Sequence, residues 1–418
     1  LLAVPNMKKE RRRKIIEYLQ NYKIPILSVP SVSQLISGEL TINNLQPISI
    51  DDLLGREVVN ADEKLLEKGI NNKIVLITGA GGSIGSELCK QIYNLNPKKL
   101  ILFEMNENNL YLVNKQLSIL EKKFEIKAIL GNACNYALLE KIFIENEVNV
   151  VFHAAAYKHV PLVEMNPVEG IKNNIISTFN VCSAAQKTSV KNVVFISSDK
   201  AVRPTNVMGA SKRLSELIVQ AFSDKFSNNE KYDLNNTIFS MVRFGNVLDS
   251  SGSVVPLFRN QIRNGGPLTL THPKIIRYFM TISEASQLVL QSLSLASSGD
   301  LFLLDMGEPV LIKKLAEQMI ILSGKSLKNK ENPQGDIEIK FIGLRPGEKL
   351  YEELLIDAES SPTEHPLIFR AQEKSIDHEQ LFLMIKKLIN SLEKYDLLQS
   401  LKLLKELVPE WVEFNQKY

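Results

Sequence analysis

Several residue types and patterns are scarce in this 418-residue chain, and each scarcity excludes a class of protein. The three cysteines, Cys89, Cys134 and Cys182, are far apart and form no CxxC pair, so neither a disulfide framework nor a zinc site is expected. His153 and His159 are interpreted as structural residues, because no set of metal ligands accompanies them. No apolar run reaches the ~18 residues of a membrane span, and no signal peptide is recognisable.

An excess of either charge is also lacking. The chain has 50 lysines and arginines against 47 aspartates and glutamates, a net charge of +3. This balance gives no indication of a nucleic-acid partner. The one dense basic run, residues 8–14, precedes Ile15, Ile16 and Leu19 and is interpreted as the solvated start of an amphipathic helix, with a membrane-surface or nucleic-acid patch as the alternative.

The first residues read as a strand at 1–5, a helix to Tyr22 and a second strand at 24–29. This order is typical of the end of an α/β domain. We therefore expect that a preceding N-terminal part has been removed and that any membrane anchor lies in it. Prolines, glycines and aspartates without a clear period mark residues 46–70 as a linker.

From Lys73 onward, short runs of Val, Ile and Leu alternate with helical segments, which indicates a parallel sheet with crossover helices. The predicted strands are 73–78, 99–104, 125–130, 149–153, 192–197 and 237–243. The expected fold class is therefore α/β, with a Rossmann-type doubly wound parallel sheet that binds a cofactor mainly through residues 71–245. After that point the alternation becomes irregular, which predicts a smaller, mixed C-terminal region, residues 246–418, for substrate binding.

The first of these strands runs directly into a glycine-rich turn with GxxGxxG spacing. Gly79 permits the tight turn, Gly82 lets the backbone approach a pyrophosphate, and Gly85 lets the following helix pack closely. Ser83 and Ile84 begin that helix and offer N–H groups and the positive end of its dipole to phosphates. A strand before the turn and a helix after it favour a dinucleotide site over a flexible loop.

The second strand ends at Glu104. A carboxylate there accepts ribose hydroxyl protons and repels a 2′-phosphate, which predicts NAD rather than NADP. An ordinary acidic residue at a strand end is the alternative.

The fifth strand ends in Ser198, Asp199 and Lys200. In open α/β sheets the carboxyl ends of strands face the ligand crevice. An adjacent acid and base at this place suit proton transfer at neighbouring carbon atoms. A surface ion pair is the alternative interpretation.

Six ordered segments carry a resemblance to a known family. They are TGAGGSIGSEL (78–88), HAAAYKHVPLVE (153–164), SSDKAVRPTNVMGASKR (197–213), RFGNVLDSSGSVVPLF (243–258), THPKIIRYFMT (271–281) and LRPGEKLYEELL (344–355). On these segments, residues 45–418 resemble the extended short-chain dehydrogenase/reductase superfamily. Within it they resemble the UDP-N-acetylglucosamine 4,6-dehydratases of polysaccharide biosynthesis, in the long, membrane-anchored branch. Residues 1–45 resemble the tail of the Rossmann-like domain that precedes the catalytic domain in that branch, so residues 71–418 are the expected catalytic domain.

The resemblance implies roles for individual residues. Lys200 is expected to remove the C5 proton of the sugar, and Asp199 to protonate the C6 hydroxyl. Ser198 is expected to bond the C4 oxygen, and Lys212 to hold the nicotinamide ribose. Further cofactor contacts are expected from Asn132, Ala133, Ala154, Ala155, Ala156 and Asn173. Further substrate contacts are expected from Lys158 and Glu348, and also from Asn246, Arg277 and Arg345, which resemble the groups that bind the UDP diphosphate.

Two positions depart from the superfamily pattern. Met208 stands where the usual YxxxK motif, which ends here at Lys212, has its tyrosine, and methionine cannot move a proton. The long branch is known for this methionine, so the departure favours that branch. It leaves the base for the C4 hydroxyl open, with Asp199 as one candidate. Asn132 replaces a more frequent aspartate before the adenine, and asparagine still offers an acceptor there.

The resemblance implies NAD-dependent conversion of UDP-N-acetylglucosamine to a UDP-4-keto-6-deoxy-N-acetylhexosamine for surface glycans, with the C5 configuration retained. A homo-oligomer is expected, without a metal or a nucleic-acid partner. This part is expected in the cytoplasm, and the full-length protein at the bacterial inner membrane. The alternatives are a nucleotide-sugar epimerase, which needs only a C4 base, a C5-inverting dehydratase, whose shorter members usually keep the tyrosine, and a non-catalytic NAD-binding scaffold.

Overall fold

The computed structural model describes residues 59–412 with five gaps, and short stretches before them. The gaps are 122–123, 189, 228–236, 356–359 and 374, and the earlier stretches are residues 2, 7, 9–20, 22, 27–29 and 46–47. Most of the predicted strand at 1–5, the start of the strand at 24–29 and residues 48–58 of the predicted linker lie outside the described residues.

Helices and strands are numbered here in chain order. The elements before residue 200 are α1 (Lys9–Gln20), β1 (Leu27–Ser28), β2 (Gln46–Pro47), α2 (Glu63–Ile70), β3 (Ile74–Thr78), α3 (Ser83–Tyr93), β4 (Lys99–Glu104), α4 (Glu107–Ser118), β5 (Glu125–Leu130), α5 (Tyr136–Glu145), β6 (Val150–His153), α6 (Val160–Met165), α7 (Pro167–Gln186) and β7 (Asn192–Ile196). The later elements are α8 (Val207–Ser227), β8 (Ile238–Arg243), β9 (Asn246–Val247), α9 (Val254–Arg263), β10 (Leu268–Leu270), β11 (Ile276–Arg277), β12 (Phe279–Met280), α10 (Ile282–Leu295), β13 (Leu301–Leu304), β14 (Val310–Leu311), α11 (Ile312–Leu322), β15 (Leu327–Lys328), β16 (Ile337–Phe341), β17 (Ser360–Pro362), β18 (Ile368–Ala371), α12 (His378–Glu393) and α13 (Leu397–Leu407).

Nine strands form the main sheet, in the order β17-β18-β13-β8-β7-β6-β3-β4-β5. The strands from β13 to β5 run parallel, and β18 and β17 are added antiparallel at one edge. The strand order reverses between β3 and β6, and such sheets bind ligands at this point, beyond the carboxyl ends of the strands. The predicted α/β class and parallel sheet are confirmed, and each of the six predicted strands matches an observed one to within a residue at either end.

Helices cover both faces of the sheet, which explains why the central strands are apolar along almost their whole length. One face packs against α5, α7, α8, α12 and α13. The other face packs against α2, α3, α4 and α10. Two continuous cores therefore hold the carboxyl ends of the strands in fixed positions.

The C-terminal half forms the predicted smaller, mixed region and also completes the main sheet. β10, β16 and β15 make a three-stranded sheet over a core that contains Phe258, Leu315 and Ile337. Short pairs join β9 to β12 and β11 to β14. β13, β17 and β18 belong to the main sheet, and α12 and α13 cover it. The main sheet and its covering helices are therefore formed by residues on both sides of position 245.

α1 is amphipathic, as its sequence predicts. Ile16 is buried together with Leu2, and Leu19 and Leu322 pack against them, whereas Arg11 is exposed. In the part of the chain that the structure describes, no helix combines the length and the apolar character needed to cross a membrane. The same residues contain no group of three or more His, Cys, Asp or Glu side chains suited to a metal ion.

Candidate active site

The glycine-rich turn between β3 and α3 lies against the end of β6. Gly79 has a φ of +68°, and a Cβ atom there would lie 2.8 Å from the amide nitrogen of Ala155. A Cβ atom on Gly85 would collide with the carbonyl oxygen of Gly79, so helix and turn are in direct contact. Gly82 is exposed, and its nearest neighbour within 4 Å of a Cβ would be that same carbonyl oxygen. The fold itself thus requires Gly79 and Gly85, while Gly82 leaves the backbone open to a ligand.

The first turn of α3 faces the same opening. No side chain among the described residues caps this helix. Its first N–H groups, those of Ser83 and Ile84, and its dipole suit a pyrophosphate. The Ser83 hydroxyl oxygen accepts a hydrogen bond of 3.2 Å from the Ser251 N–H, which brings the loop after β9 to the edge of this site.

Glu104 is buried at the carboxyl end of β4. Its Oε2 accepts a hydrogen bond from the Gly81 N–H at 3.0 Å, and its Oε1 accepts one from the Asn106 N–H at 2.9 Å. The carboxylate is therefore fixed beside the glycine-rich turn, and each oxygen keeps a lone pair for a ribose hydroxyl.

We expect the native protein to prefer NAD⁺ to NADP⁺, and Glu104→Gln to narrow this preference by about tenfold, or about 1.4 kcal/mol. The amide keeps the size of the side chain but removes the charge that repels a 2′-phosphate. Calorimetric titration of native and variant protein with both dinucleotides measures the change. Glu107→Gln, at the exposed start of α4, is the control and should leave both affinities unchanged. Tighter binding of NADP⁺ than of NAD⁺ by the native protein would contradict this role of Glu104.

The three alanines after β6 form an extended, half-buried segment beside the glycine-rich turn. The Ala154 N–H donates to the Thr78 carbonyl oxygen at 3.2 Å, so Ala154, Ala155 and Ala156 border the crevice at the reversal of strand order. His153 precedes them and bonds the Thr78 hydroxyl through Nδ1 at 2.7 Å. Because burial lowers the pKa of His153 to about 3, it is a neutral part of the core at physiological pH.

The turn after β5 contains Asn132 and Ala133. Asn132 is exposed, and its Oδ1 accepts a hydrogen bond from the Cys134 N–H at 2.8 Å, so the turn already uses part of the acceptor that was expected to serve the adenine. Ala133 is buried in the core. This pair lies in the turn at the carboxyl end of β5, and the Asn132 side chain keeps one lone pair of Oδ1 and its amide N–H groups for a ligand.

Of the two consecutive asparagines in α7, the buried one is Asn174 and not Asn173, for which a cofactor contact was expected. The buried Asn174 side chain accepts from the Tyr157 N–H at 2.8 Å and donates to the Tyr157 carbonyl at 3.1 Å and the Ser211 hydroxyl at 2.9 Å. It thereby joins the segment after β6 to α8. Asn173 is half-buried and donates to Asn174 Oδ1 at 3.1 Å. Two consecutive asparagines in one helix give no sequence signal for which of them faces inward.

Ser198, Asp199 and Lys200 form one hydrogen-bonded group at the carboxyl end of β7. Asp199 is 1% exposed, and its Oδ1 accepts from Ser198 Oγ at 2.9 Å and from Lys200 Nζ at 3.0 Å. Its Oδ2 is buried and has no hydrogen-bond partner among the described residues. A short 3₁₀ turn, Asp199–Ala201, presents the group to the crevice. The burial of Asp199 excludes the alternative of a surface ion pair.

The surroundings keep Lys200 charged. Burial alone would lower its pKa, but the carboxylates of Asp199 and Glu352 raise the pKa of Lys200 above the usual range. Lys200 Nζ also donates to Asn246 Oδ1 at 3.2 Å, so Asn246 contacts the acid–base pair. Burial and then the positive charge of Lys200 lower the pKa of Lys158.

Met208 and Lys212 lie on successive turns of α8. Met208 is buried in the core. Lys212 Nζ donates to the Ile196 carbonyl at 2.6 Å and lies 3.9 Å from the centroid of the Phe195 ring. Burial lowers the pKa of Lys212 to about 7, so part of the population is uncharged at neutral pH. The amine lies beneath β7, with protons left for a ribose.

Some of the side chains expected to bind the UDP diphosphate already make contacts within the protein. Arg277 is buried, donates to the Lys349 carbonyl at 2.8 Å and lies 3.6 Å from Glu348. Glu348 also accepts from the Arg345 N–H at 3.0 Å. The Arg345 side chain is exposed. Arg345 is thus open to a phosphate, whereas Arg277 would have to exchange partners.

Glu352 belongs to the site but was not found by reasoning from the sequence. The Thr205 hydroxyl donates to the Gly347 carbonyl at 2.7 Å, and this contact brings the following residues to the turn after β7. Glu352 is 8% exposed, and its Oε1 lies 3.9 Å from Lys200 Nζ. Burial raises the pKa of Glu352 above its usual range, against the opposing effect of the Lys200 ammonium. The only sequence signal for Glu352 was its place in the segment 344–355. That signal does not distinguish Glu352 from the adjacent Glu353, which has the same chemistry.

The family model described as "Polysaccharide biosynthesis protein" matches residues 75–373. This range contains the glycine-rich turn, the group at the end of β7 and Glu352.

Curated proteins and solved structures are similar over most of the same range. A protein of Staphylococcus aureus named capsular polysaccharide biosynthesis protein CapD is 43% identical over 401 residues, which are 96% of this chain and 64% of CapD. A protein of Rickettsia rickettsii named UDP-glucose 4-epimerase is 35% identical over 69% of this chain and 79% of its own length. The X-ray structure of Pen from Bacillus thuringiensis is 32% identical, with a TM-score of 0.62, and the match covers 76% of this chain and 99% of Pen. This chain therefore spans less than two thirds of the length of CapD.

Proposed function

Because this chain belongs to the polysaccharide biosynthesis protein family, we propose that it is a nucleotide-sugar 4,6-dehydratase that acts on UDP-N-acetylglucosamine with bound NAD⁺. The buried, hydrogen-bonded pair of Asp199 and Lys200 carries the proposal. Elimination of water across C5 and C6 needs a base and an acid on adjacent carbon atoms, whereas epimerisation at C4 needs only a base there. The names of the relatives support a place in surface-polysaccharide biosynthesis.

The crevice at the reversal of strand order fits a dinucleotide. The backbone at Gly82 is open, the first turn of α3 is not capped by a described side chain, and the Glu104 carboxylate is fixed beside the turn. When bound there, NAD⁺ supplies the acceptor for a hydride from C4 of the sugar and the donor of that hydride to C6. Lys212 would hold the nicotinamide ribose through the N–H protons that its bond to the Ile196 carbonyl leaves free.

The hydrogen bonds of the pair provide a route for the protons. As C4 is oxidised, its hydroxyl proton passes to Ser198 Oγ while the Ser198 proton moves along the 2.9 Å bond to Asp199 Oδ1. This route takes the place of the tyrosine of the usual YxxxK motif, whose position Met208 occupies here. Asp199 then gives that proton to the C6 hydroxyl as the C6–O bond breaks and water leaves.

Neutralising Asp199 prepares Lys200 to act as the base. With Asp199 protonated, the Lys200 ammonium has lost one anionic partner and gives up a proton to water more readily. The neutral amine takes the C5 proton and returns a proton to C5 as the hydride arrives at C6. Uptake of one proton from water then restores the ion pair, so the protons balance over the cycle.

Epimerisation of a UDP-sugar is the second candidate, and the identity to proteins named UDP-glucose 4-epimerase favours it. It would leave the acid at C6 without a role.

A non-catalytic scaffold is favoured by Met208 alone. A native protein that is inert on every UDP-sugar tried, while Met208→Tyr is active, would support the scaffold.

Incubation with UDP-N-acetylglucosamine tests the proposed function. Mass spectrometry of the nucleotide sugar is expected to show a product lighter by one water. An unchanged mass with a new C4 epimer, detected by chromatography, would favour the epimerase instead.

A further inference from the structure

A second carboxylate lies beside the acid–base pair and has no part in the proposed proton route. Glu352 Oε1 lies 3.9 Å from Lys200 Nζ and 3.7 Å from Arg277 Nε. Its Oε2 is buried, without a hydrogen-bond partner among the described residues. A buried carboxylate with an unused oxygen costs stability, so its place beside a reactive amine points to a functional reason.

The two carboxylates act on Lys200 in different ways. Asp199 makes a direct hydrogen bond of 3.0 Å and, in the proposed reaction, changes its protonation state. Glu352 lies beyond hydrogen-bond distance and acts through its charge. Glu352 is therefore the anion that still faces Lys200 when Asp199 has become neutral.

We propose that Glu352 is a positioning residue that holds the Lys200 ammonium in place beside Asp199 and sets how readily this amine releases its proton. The inference rests on the proposed acid–base role of Asp199 and Lys200. It assigns to the segment 344–355 an effect on the reacting base, in addition to any contact with the nucleotide sugar.

Three other charged side chains surround the pair and oppose Glu352. Arg277, on β11, lowers the pKa of Lys200, and burial and then the charge of Lys200 lower the pKa of Lys158, after β6. Lys349 is close to Glu352 and bonds the Val202 carbonyl at 2.7 Å. Because Arg277 is also fixed by backbone carbonyls, loss of the Glu352 charge leaves its repulsion of Lys200 in place. The repulsion from Arg277 makes Lys200 release its proton more easily when Glu352 is neutral.

The variant Glu352→Gln tests the proposal by the chemical reactivity of Lys200. Only an uncharged amine reacts with trace acetic anhydride, so at one pH the acetylation rate follows the uncharged fraction of Lys200. An opposite charge at this distance shifts a pKa by about one unit or more, so the rate at Lys200 should rise about tenfold in the variant. Peptide mass spectrometry measures this rate against that of the exposed Lys340 in the same molecule.

Glu353→Gln is the matched control, because Glu353 pairs with Arg203 at the surface. It should leave the rate at Lys200 unchanged. If Glu352→Gln does not fold, Glu352→Asp carries the test, with a smaller rise in the same direction. An unchanged rate in the Glu352 variant, or an equal rise in Glu353→Gln, would overturn the proposal. The labelling does not require turnover, so failure of the native protein to dehydrate the sugar would refute the proposed function and leave this result interpretable.

Discussion

Lys200→Met is expected to lower the turnover of UDP-N-acetylglucosamine by about 10²–10⁴-fold, the usual contribution of one positioned acid or base. Methionine keeps the length of the side chain and removes the amine that would take the C5 proton. Oxidation at C4 does not require that amine, so the variant should accumulate some enzyme-bound NADH and a C4-keto sugar without losing water. Absorbance of the reduced nicotinamide and mass spectrometry of the sugar measure the two quantities.

The same substitution at Lys340, an exposed residue paired with Glu338, is the control and should leave turnover unchanged. Binding of NAD⁺ and of UDP to the Lys200 variant shows whether its site is intact. Turnover close to the native value in a folded Lys200→Met variant would show that another group is the base.

Glu216→Gln is expected to lower the free energy of unfolding by about 3–5 kcal/mol at neutral pH, the cost of breaking a buried ion pair. Glu216 and Arg243 are both fully buried, and Oε1 and Oε2 of Glu216 accept from Nε and an NH2 group of Arg243 at 2.7 and 2.6 Å. Ser197 Oγ donates to the same carboxylate at 2.5 Å. An amide would leave Arg243 with less compensating charge. Chemical denaturation followed by circular dichroism measures the loss.

This buried pair connects stability to the active site, because Ser197 directly precedes the group at the end of β7. Burial alone would raise the pKa of Glu216, but Arg243 holds it below the usual 4.5. The stabilisation is thus fully present above 4.5 and is lost as the pH falls through the lower folded value, so the deficit of the variant should shrink in acid. Glu317→Gln, which breaks a surface pair with Lys313, is the control and should cost at most about 0.5 kcal/mol. Equal losses in the two variants would contradict this role of Glu216.

The sheet could be predicted from the sequence because its strands are continuous apolar runs. The same holds for the residues that directly follow a strand, since the end of a parallel strand fixes where the next few side chains lie. The glycine-rich turn, Glu104 and the Ser198–Lys200 group are all of this kind. Their positions depend on local sequence and on the rule that ligands bind at the carboxyl ends of parallel strands.

Residues placed by long-range contacts could not be predicted in this way. Glu352 reaches Lys200 through the bond between Thr205 and Gly347, which are 142 residues apart. The bond between Asn246 and Lys200 and the bonds of Arg277 to backbone carbonyls are likewise long-range contacts. The sequence gives the types of these residues and not their partners, because the partners are set by packing of the C-terminal region on the main sheet.

The path of the C4 hydrogen tests the central claim, that this chain dehydrates a nucleotide sugar by internal hydride transfer, most directly. UDP-N-acetylglucosamine carrying deuterium at C4 would be converted in ordinary water, and unlabelled substrate in deuterium oxide, with nuclear magnetic resonance of both products. The account predicts deuterium at C6 in the first product and at C5 in the second, because Lys200 exchanges its proton with solvent before returning it. Deuterium that stays at C4 in a product of unchanged mass would contradict the account and identify a C4 epimerase.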